Sequence, residues 1–167
     1  MKDPHNLPQT YTPSVFQLHG RIGRARYLAY GLVLNLLLVL CLLVLVTIAG
    51  DSAAGLVAVK WLSAAAAAAL AVVLGGRRLQ DLGVTRWAAL ILLIPVVNLV
   101  FSLWLICAPG KPGANRFGPP PAPNTRGVIV LAWAVPVLIA AAVLAAVALA
   151  PHKSNADRAR DEMEQTI

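Results

Sequence analysis

Long apolar runs alternate with short polar segments along the whole chain. The first run, from Tyr27 to Ala49, contains 23 residues without a formal charge. An α-helix rises about 1.5 Å per residue, so a helix of this length measures about 34 Å and can cross a hydrocarbon core of about 30 Å. The pattern therefore predicts an integral membrane protein.

Three later runs have the same apolar character. A turn at Asp51 and Ser52 separates the first two runs, and Pro95 lies near the middle of the third, where it is expected to kink a helix. We predict an all-α membrane protein with four transmembrane helices in an antiparallel bundle and a Pro/Gly-rich loop between helices three and four. The predicted helices span about 27–49, 53–75, 87–108 and 128–150.

The predicted helices divide the chain into four regions. Residues 1–26 form an irregular, basic N-terminal segment, and residues 27–121 form a three-helix membrane domain with an outer loop. Residues 122–150 supply a linker and an additional fourth helix, and residues 151–167 form a charged tail. A cleaved signal peptide is the competing interpretation of the first run, but both the basic lead and the apolar core are longer than such peptides have.

Composition supports the membrane class. Hydrophobic residues make up 59% of the chain and charged residues 13%, whereas soluble domains carry about 25% charged residues. The net charge of +7 could suggest a nucleic-acid partner, but the basic residues lie at the ends of the apolar runs rather than along one polar face. We therefore expect membrane lipids, anionic phospholipids among them, as partners and no nucleic acid.

Arginine and lysine residues also predict the orientation. They are frequent in the N-terminal segment, in the loop at 75–86 and in the tail, and fewer in the loop at 109–127. Cytoplasmic loops of membrane proteins carry an excess of these residues. Both termini and the 75–86 loop are therefore predicted to be cytoplasmic, and the 109–127 loop is predicted to lie on the outer face.

Few polar residues interrupt the predicted spans. Asn98 is expected either to satisfy a carbonyl freed by Pro95 or to bond to a neighbouring helix, with Asn35 as the candidate partner there. Lys60 has two interpretations, because its amine can snorkel to the headgroups beside Trp61 or face a cavity inside the bundle.

The segment Gly75–Arg86 admits a structural and a functional interpretation, and the two are compatible. If helix two continues into it, Asp81 lies within one helical turn of Arg77 and Arg78 and can pair with either. Gly83 then ends the helix. In the functional interpretation, the arginines of this side form a cytoplasmic pocket for a phosphate-bearing headgroup, because guanidinium groups bind phosphate in a bidentate way. The candidate residues for headgroup or partner binding are Arg21, Arg24, Arg26, Arg77, Arg78, Asp81 and Arg86.

A second candidate motif lies in the predicted outer loop, at Asn115, Arg116, Phe117 and Gly118. These residues can form an edge on which a protein partner docks. The favoured interpretation is a turn in which the asparagine side chain bonds its own backbone.

Three patches of the sequence, in their order and spacing, resemble a known family. They are GRIGRARYLAY at 20–30, RRLQDLGVTRWAALILLIP at 77–95 and PGKPGANRFGPPP at 109–121. Together they resemble the bacterial membrane family called domain of unknown function 805, over roughly residues 16–121. The resemblance implies a small integral protein of the bacterial inner membrane and brings no activity with it.

The chain departs from that family's pattern at three positions. Gln80, Asn98 and Pro120 stand where a histidine, a glycine and an aspartate are usual in the family. Any proton chemistry of that histidine is therefore not available to this chain.

The sequence shows no catalytic constellation. His5, His19 and His152 lie in the tail regions or at a span end, and no spacing typical of metal ligands occurs. We therefore expect no enzymatic activity, no metal and no cofactor. The expected function is that of an inner-membrane component that binds a lipid headgroup or a protein partner. The alternative is a small transporter or channel subunit that works as a homo-oligomer, and the small set of polar residues within the spans disfavours it.

Overall fold

The computed structural model describes residues 10–164, without the side chains of 149–159, 161 and 164. The remaining residues of the predicted N-terminal segment and charged tail lie outside this range. Within the described residues the fold is helical, and β-structure is confined to isolated bridges. The predicted all-α class is therefore confirmed. The α-helices are α1 (Arg24–Ala49), α2 (Ala53–Leu82), α3 (Val97–Cys107) and α4 (Arg126–Glu164), with a 3-10 helix at Arg86–Leu93.

Helices α1 and α2 are both long and apolar enough to cross a membrane, as is the Arg126–Ala148 part of α4. The side chain of Ser52 caps α2 by accepting a hydrogen bond from the backbone N–H of Gly55 at 3.2 Å. Helix α2 is longer than its predicted span, since it continues to Leu82. It ends where Gly83 adopts a left-handed conformation with φ of +79°, which glycine adopts without strain.

The predicted third helix, 87–108, is not continuous. A 3-10 helix ends at Leu93, and only the 11 residues Val97–Cys107 are α-helical. Pro95 has no N–H to donate, and Val96 adopts a φ of +70°, so the chain bends sharply between the two helices. An α-helix of 11 residues is about 16 Å long and cannot cross a bilayer.

Both ends of this broken segment lie against the same part of α2. At its start, the Cβ of Arg86 would lie 3.3 Å from a Cβ added at Gly76. At its end, the carbonyl oxygen of Leu105 accepts a hydrogen bond from Arg78 at 2.9 Å. The segment is therefore a hairpin that returns to the end of α2 from which it started.

Two small apolar clusters form the core, and both lie beside the C-terminal part of α2. One contains Ile22, Ala29, Tyr30 and Leu74, and the other contains Leu79, Ala89, Leu92 and Leu105. Gly75 lies between α2 and the 3-10 helix, where an added Cβ would collide with Leu92. The central apolar windows of α1 and α2 are not buried within the chain. Packing within the chain is therefore concentrated at the arginine-rich end of the two long helices.

The chain divides into two compact units, residues 1–132 and 133–167. Helix α4 begins at Arg126, two residues before its predicted start, and Thr125 caps it by accepting from the N–H of Val128 at 3.4 Å. The second unit is the remainder of that helix, which continues to Glu164. The predicted tail is therefore helical as far as it is described. The four predicted regions themselves stay a prediction.

Candidate functional site

Asp81 is the centre of a buried polar cluster in the last turn of α2. Its side chain is 4% exposed and forms ion pairs with two arginines. Arg78 donates to Oδ2 at 2.5 Å, and Arg21 donates to Oδ1 through two nitrogens at 3.2 Å each. The predicted pair across one helical turn thus forms with Arg78. The second partner comes from 60 residues earlier in the chain.

The remaining N–H groups of these two arginines donate to backbone carbonyls. Arg21 reaches the carbonyl oxygens of Lys111 at 2.6 Å, Gly113 at 2.8 Å and Gly118 at 3.0 Å. Arg78 donates to the carbonyls of Leu105 and Ala108. Carbonyl oxygens and one carboxylate therefore satisfy both guanidinium groups inside the protein.

Arg26 has the same kind of surroundings a short distance along the chain. It is 3% exposed and donates to the carbonyl oxygens of Ala122 at 2.5 Å and Pro123 at 2.9 Å. Arg21, Arg26 and Arg78 are therefore structural, since each fastens the segment after α3 to the end of α1 or α2.

These contacts show that the predicted separation of the two loops is wrong. The 109–122 segment, expected on the outer face, lies directly against the arginines expected on the cytoplasmic face. The amide of Asn115 donates to the carbonyl of Gln80 at 2.9 Å, and Arg116 donates to the carbonyl of Gly83 at 3.3 Å. The physical reason is the short α3, which folds back instead of crossing to the other side.

The motif in this loop forms the predicted turn. The side-chain oxygen of Asn115 accepts a hydrogen bond from the N–H of Phe117 at 2.8 Å. The guanidinium of Arg116 lies 4.7 Å from the centre of the Phe117 ring. Gly118 adopts a φ of +114° and turns its carbonyl to Arg21. Close by, Gly110 passes so near to the carboxylate of Asp81 that an added Cβ would collide with it.

The segment before α1 closes the cluster. The hydroxyl of Tyr11 donates to the carbonyl of Arg21, and burial raises the pKa of Tyr11, so the hydroxyl stays a neutral donor. The side chain of Gln80 accepts from the N–H of Gly20 at 3.2 Å. Tyr30 donates to the carbonyl of Pro13 at 2.7 Å. Residues 11–22 are thus fixed over the ends of α1 and α2.

Arg77 differs from its neighbours because its side-chain nitrogens lack an acceptor in hydrogen-bonding geometry among the described residues, although its guanidinium interacts electrostatically with the hydroxyl of Tyr11. The residue is 1% exposed, and Nε, Nη1 and Nη2 are buried without any acceptor in hydrogen-bonding geometry among the described residues. Its guanidinium carbon lies 5.9 Å from the centre of the Tyr30 ring. The predicted ion pair between Arg77 and Asp81 is not formed, since the ion pairs of Asp81 are with Arg21 and Arg78.

A small pocket adjoins Arg77, and we call it the Arg77 pocket. Its volume is about 50 Å³. A cavity needs about 10–15 Å³ of such volume to hold one water molecule, so this pocket has room for a small polyatomic group. Exposed Arg86 and Trp87 stand at its mouth, with the guanidinium carbon of Arg86 5.7 Å from the centre of the Trp87 ring. The other lining residues are Leu18, Val72, Val73, Gly76 and Gln80.

The predicted pocket of six arginines is therefore divided between different tasks. Arg21, Arg26 and Arg78 are occupied by carbonyls and Asp81, whereas only Arg77 and Arg86 line the pocket. Arg24 is exposed and donates a long hydrogen bond of 3.4 Å to the carbonyl of Cys107. Within the described residues, the buried arginines outnumber the buried carboxylates, because Asp81 is the one buried acidic residue.

The polar residues within the spans do not meet one another. The amide of Asn35 donates to the carbonyl of Gly31 in its own helix at 2.8 Å. Asn98 accepts from Ser102, one turn along α3, at 2.7 Å. The predicted pairing of Asn35 with Asn98 is therefore wrong. Lys60 is exposed on the surface of α2, and whether its amine snorkels to the headgroups stays a prediction.

Sequence reasoning missed the carbonyl groups that bind Arg21 and the role of Tyr11. A backbone carbonyl has the same chemistry in every residue, so no residue type marks it. The one available signal is the density of proline and glycine at 109–121, since a segment that forms neither helix nor strand keeps its carbonyls free to accept.

Known proteins match the part of the chain that contains this site. The family model described as "Protein of unknown function (DUF805)" matches residues 15–119. The "Inner membrane protein YhaH" of Escherichia coli, in strains K12 and O157:H7, is 44% identical over 45 residues. That stretch is 27% of this chain and 37% of each relative, so the chain spans little more than a third of the length of these curated relatives. No solved structure matches.

The matched residues include every arginine of the cluster, Asp81 and the carbonyl of Gly118 that Arg21 binds, whereas Tyr11 and the acceptors of Arg26 lie outside them. The match covers well over half of the chain. The chain therefore belongs to the family of membrane proteins described as "Protein of unknown function (DUF805)".

Proposed function

We propose that this protein is a non-enzymatic component of the bacterial inner membrane that binds an anionic lipid headgroup in the Arg77 pocket. One observation supports the proposal, namely that Arg77 is buried and that, among residues 10–164, no acceptor lies in hydrogen-bonding geometry with its three nitrogens. Buried polar groups are nearly always hydrogen-bonded, and a buried charge without a partner is strongly unfavourable. An anion that reached Arg77 from the adjoining pocket would supply acceptors to these nitrogens, which are closed to solvent in the structure.

A phosphate group is the anion that suits this site best. Guanidinium groups bind phosphate through two parallel hydrogen bonds, and arginine is the usual residue for this recognition. Arg86 can add a second guanidinium at the mouth, and Gln80 lines the pocket as well. Exposed Trp87 is of the residue type that is enriched at membrane interfaces, where lipid headgroups lie.

The structure also leads us to propose a revised topology. The positive-inside rule places the basic segment before α1 and the arginine cluster on the cytoplasmic side. Because the 109–122 segment contacts that cluster, we place this loop on the cytoplasmic side as well. The chain then crosses the membrane three times, through α1, α2 and residues 126–148, and its C-terminus lies outside. The sequence had predicted four crossings and two cytoplasmic termini.

Native mass spectrometry tests the headgroup proposal. The protein is extracted gently, supplied with phosphatidylglycerol, and compared with Arg77→Gln. The matched control is Arg24→Gln. It removes one positive charge from an exposed arginine at the start of α1, at the same arginine-rich end of the two long helices. We expect retained phosphatidylglycerol in the wild type and the control, and a loss of about tenfold or more in affinity in Arg77→Gln. Equal retention by all three proteins would falsify the proposal.

A melting experiment separates binding from general damage. Arg77→Met removes the unpaired charge and keeps much of the apolar stem, so without added anionic lipid it should melt at or above the wild-type temperature. With phosphatidylglycerol, the wild type should gain stability by mass action and Arg77→Met should not. A variant that gains as much from the lipid as the wild type would contradict the proposed role of Arg77.

A further inference from the structure

A large apolar groove lies between α1 and α2, beneath the segment that precedes α1. Its volume is about 480 Å³, within the range of about 300–1,000 Å³ that is typical of small-molecule sites. Residues 15–18 cover one side. The walls include Leu34, Leu37 and Leu38 from α1 and Ala66, Ala69 and Leu70 from α2.

The groove adjoins the Arg77 pocket. Leu18 and Val73 line both spaces, Leu18 from the covering segment and Val73 from α2. An apolar groove and a pocket lined by a buried arginine, which has no acceptor in hydrogen-bonding geometry among the described residues, therefore adjoin along one helix. This combination is complementary to a molecule with an anionic head and a hydrocarbon chain.

The covering segment is held in place, so the groove is a feature of the fold. The N–H of Ala122 donates to the carbonyl of Tyr11 at 2.8 Å, and Tyr30 holds the carbonyl of Pro13. On the opposite wall the small side chains of Ala66 and Ala69 leave space that larger residues would fill. A hydrocarbon chain in the groove would contact α1, α2 and the covering segment, whereas a lipid elsewhere around the protein would contact a single helix surface.

We infer that one acyl chain of the bound anionic lipid lies in this groove while the phosphate occupies the Arg77 pocket. This inference rests on the proposed function and specifies its ligand as an acylated phosphate, as opposed to a soluble phosphate ester. The acyl chain determines which anions bind, because a headgroup without an acyl chain would leave the groove open to other apolar molecules. Both parts of the lipid are then recognised at the same end of α1 and α2.

The test uses the full-length protein in detergent and two substitutions in the alanine run of α2. Ala69→Phe places a ring in the groove, and the matched control Ala67→Phe makes the same change at a position that does not line it. The probes are dioleoyl phosphatidylglycerol and its deacylated headgroup, glycerophosphoglycerol. We expect Ala69→Phe to weaken retention of the lipid by about tenfold or more, Ala67→Phe to leave it unchanged, and the headgroup to bind at least about tenfold more weakly than the lipid.

The outcomes distinguish the two proposals. Equal lipid retention by Ala69→Phe and Ala67→Phe, with retention still lost in Arg77→Gln, would overturn the groove and leave headgroup binding intact. Lipid retention that Ala69→Phe weakens but Arg77→Gln does not would support the groove and remove the headgroup proposal. Should Ala69→Phe fail to fold, the comparison of lipid with headgroup on the wild type tests the groove alone. Headgroup binding as tight as lipid binding would exclude a role for the acyl chain.

Discussion

At the scale of single residues, Asp81 is the acceptor shared by the arginine cluster. It forms ion pairs with Arg21 and Arg78, and its backbone carbonyl accepts from the N–H of Lys111 at 3.0 Å. A buried ion pair gives little net stability compared with apolar packing, but removal of one partner leaves uncompensated charge. Here the loss would affect two guanidinium groups at once.

Asp81→Asn should therefore destabilise the protein strongly. We expect a loss of about 3–5 kcal/mol, the range found when a buried pair is broken, measured as a lower melting temperature in detergent. Asp51→Asn is the matched control, because Asp51 is exposed in the turn between α1 and α2. Similar melting temperatures for the two variants would show that Asp81 does not hold the cluster together.

The partners of Asp81 show which contacts the sequence could predict. The pair with Arg78 was predictable, because three residues in a helix bring side chains to one face. The pair with Arg21 was not, because 60 residues separate the two groups and several arginines were equivalent candidates. The absence of an ion pair between Arg77 and Asp81 was equally unpredictable. It arises because Arg21 and Arg78 occupy the carboxylate of Asp81, and the position of Arg77 in the helix does not indicate this.

At the scale of elements, the broken segment between α2 and the 109–122 loop changes the architecture. Its apolar residues were interpreted as one kinked crossing, because hydropathy reports length and composition and carries no information on direction. Pro95 was correctly identified as a disruption. The positive φ of Val96, which completes the turn, has no sequence signal, since a β-branched residue is unusual in that conformation. By contrast, Gly83 ends α2, as the structural interpretation of Gly75–Arg86 expected, although the predicted span of this helix stopped at 75.

The sidedness of this loop is open to direct measurement. In a variant without the native cysteines, Gly113→Cys should react with a membrane-impermeant maleimide only when the cytoplasmic face is accessible, as in inverted vesicles. Asp51→Cys, in the turn between α1 and α2, should show the opposite pattern. Alkaline phosphatase fused after Ile167 should be active, because we place the C-terminus outside. Labelling of Gly113→Cys from the outer face would restore the crossing predicted from the sequence.

At the scale of the whole molecule, the arginine cluster joins distant parts of the chain into one unit. Residues 1–132 form a compact unit by themselves, and the family match at 15–119 lies entirely within it. The match ends at residue 119, before α4 begins at Arg126. The extent of the unit depends on contacts between the 109–122 segment and the arginines. A hydropathy pattern carries no information on such contacts, so the sequence could not predict them.

Truncation should show where this unit ends. A chain of residues 1–132 retains the carbonyl groups that bind Arg21 and Arg26, and we expect it to persist in membranes about as long as the full chain. A chain of residues 1–108 lacks the acceptors at Lys111, Gly113 and Gly118, and we expect rapid degradation. Pulse-chase labelling gives both lifetimes, and equal lifetimes for the two fragments would contradict a requirement for the loop.

During translation, Arg21 leaves the ribosome well before the carbonyl groups that it binds. Gly113 and Gly118 follow 92 and 97 residues later, which takes about 5–20 s at a synthesis rate of about 5–20 residues per second. Throughout that interval the guanidinium has to remain in water or on a headgroup at the membrane surface, although α1 and α2 can already insert. Burial of these arginines therefore has to wait for synthesis of the 109–122 segment. A nascent chain that does not place this segment keeps its arginines exposed, and we expect proteases to degrade it.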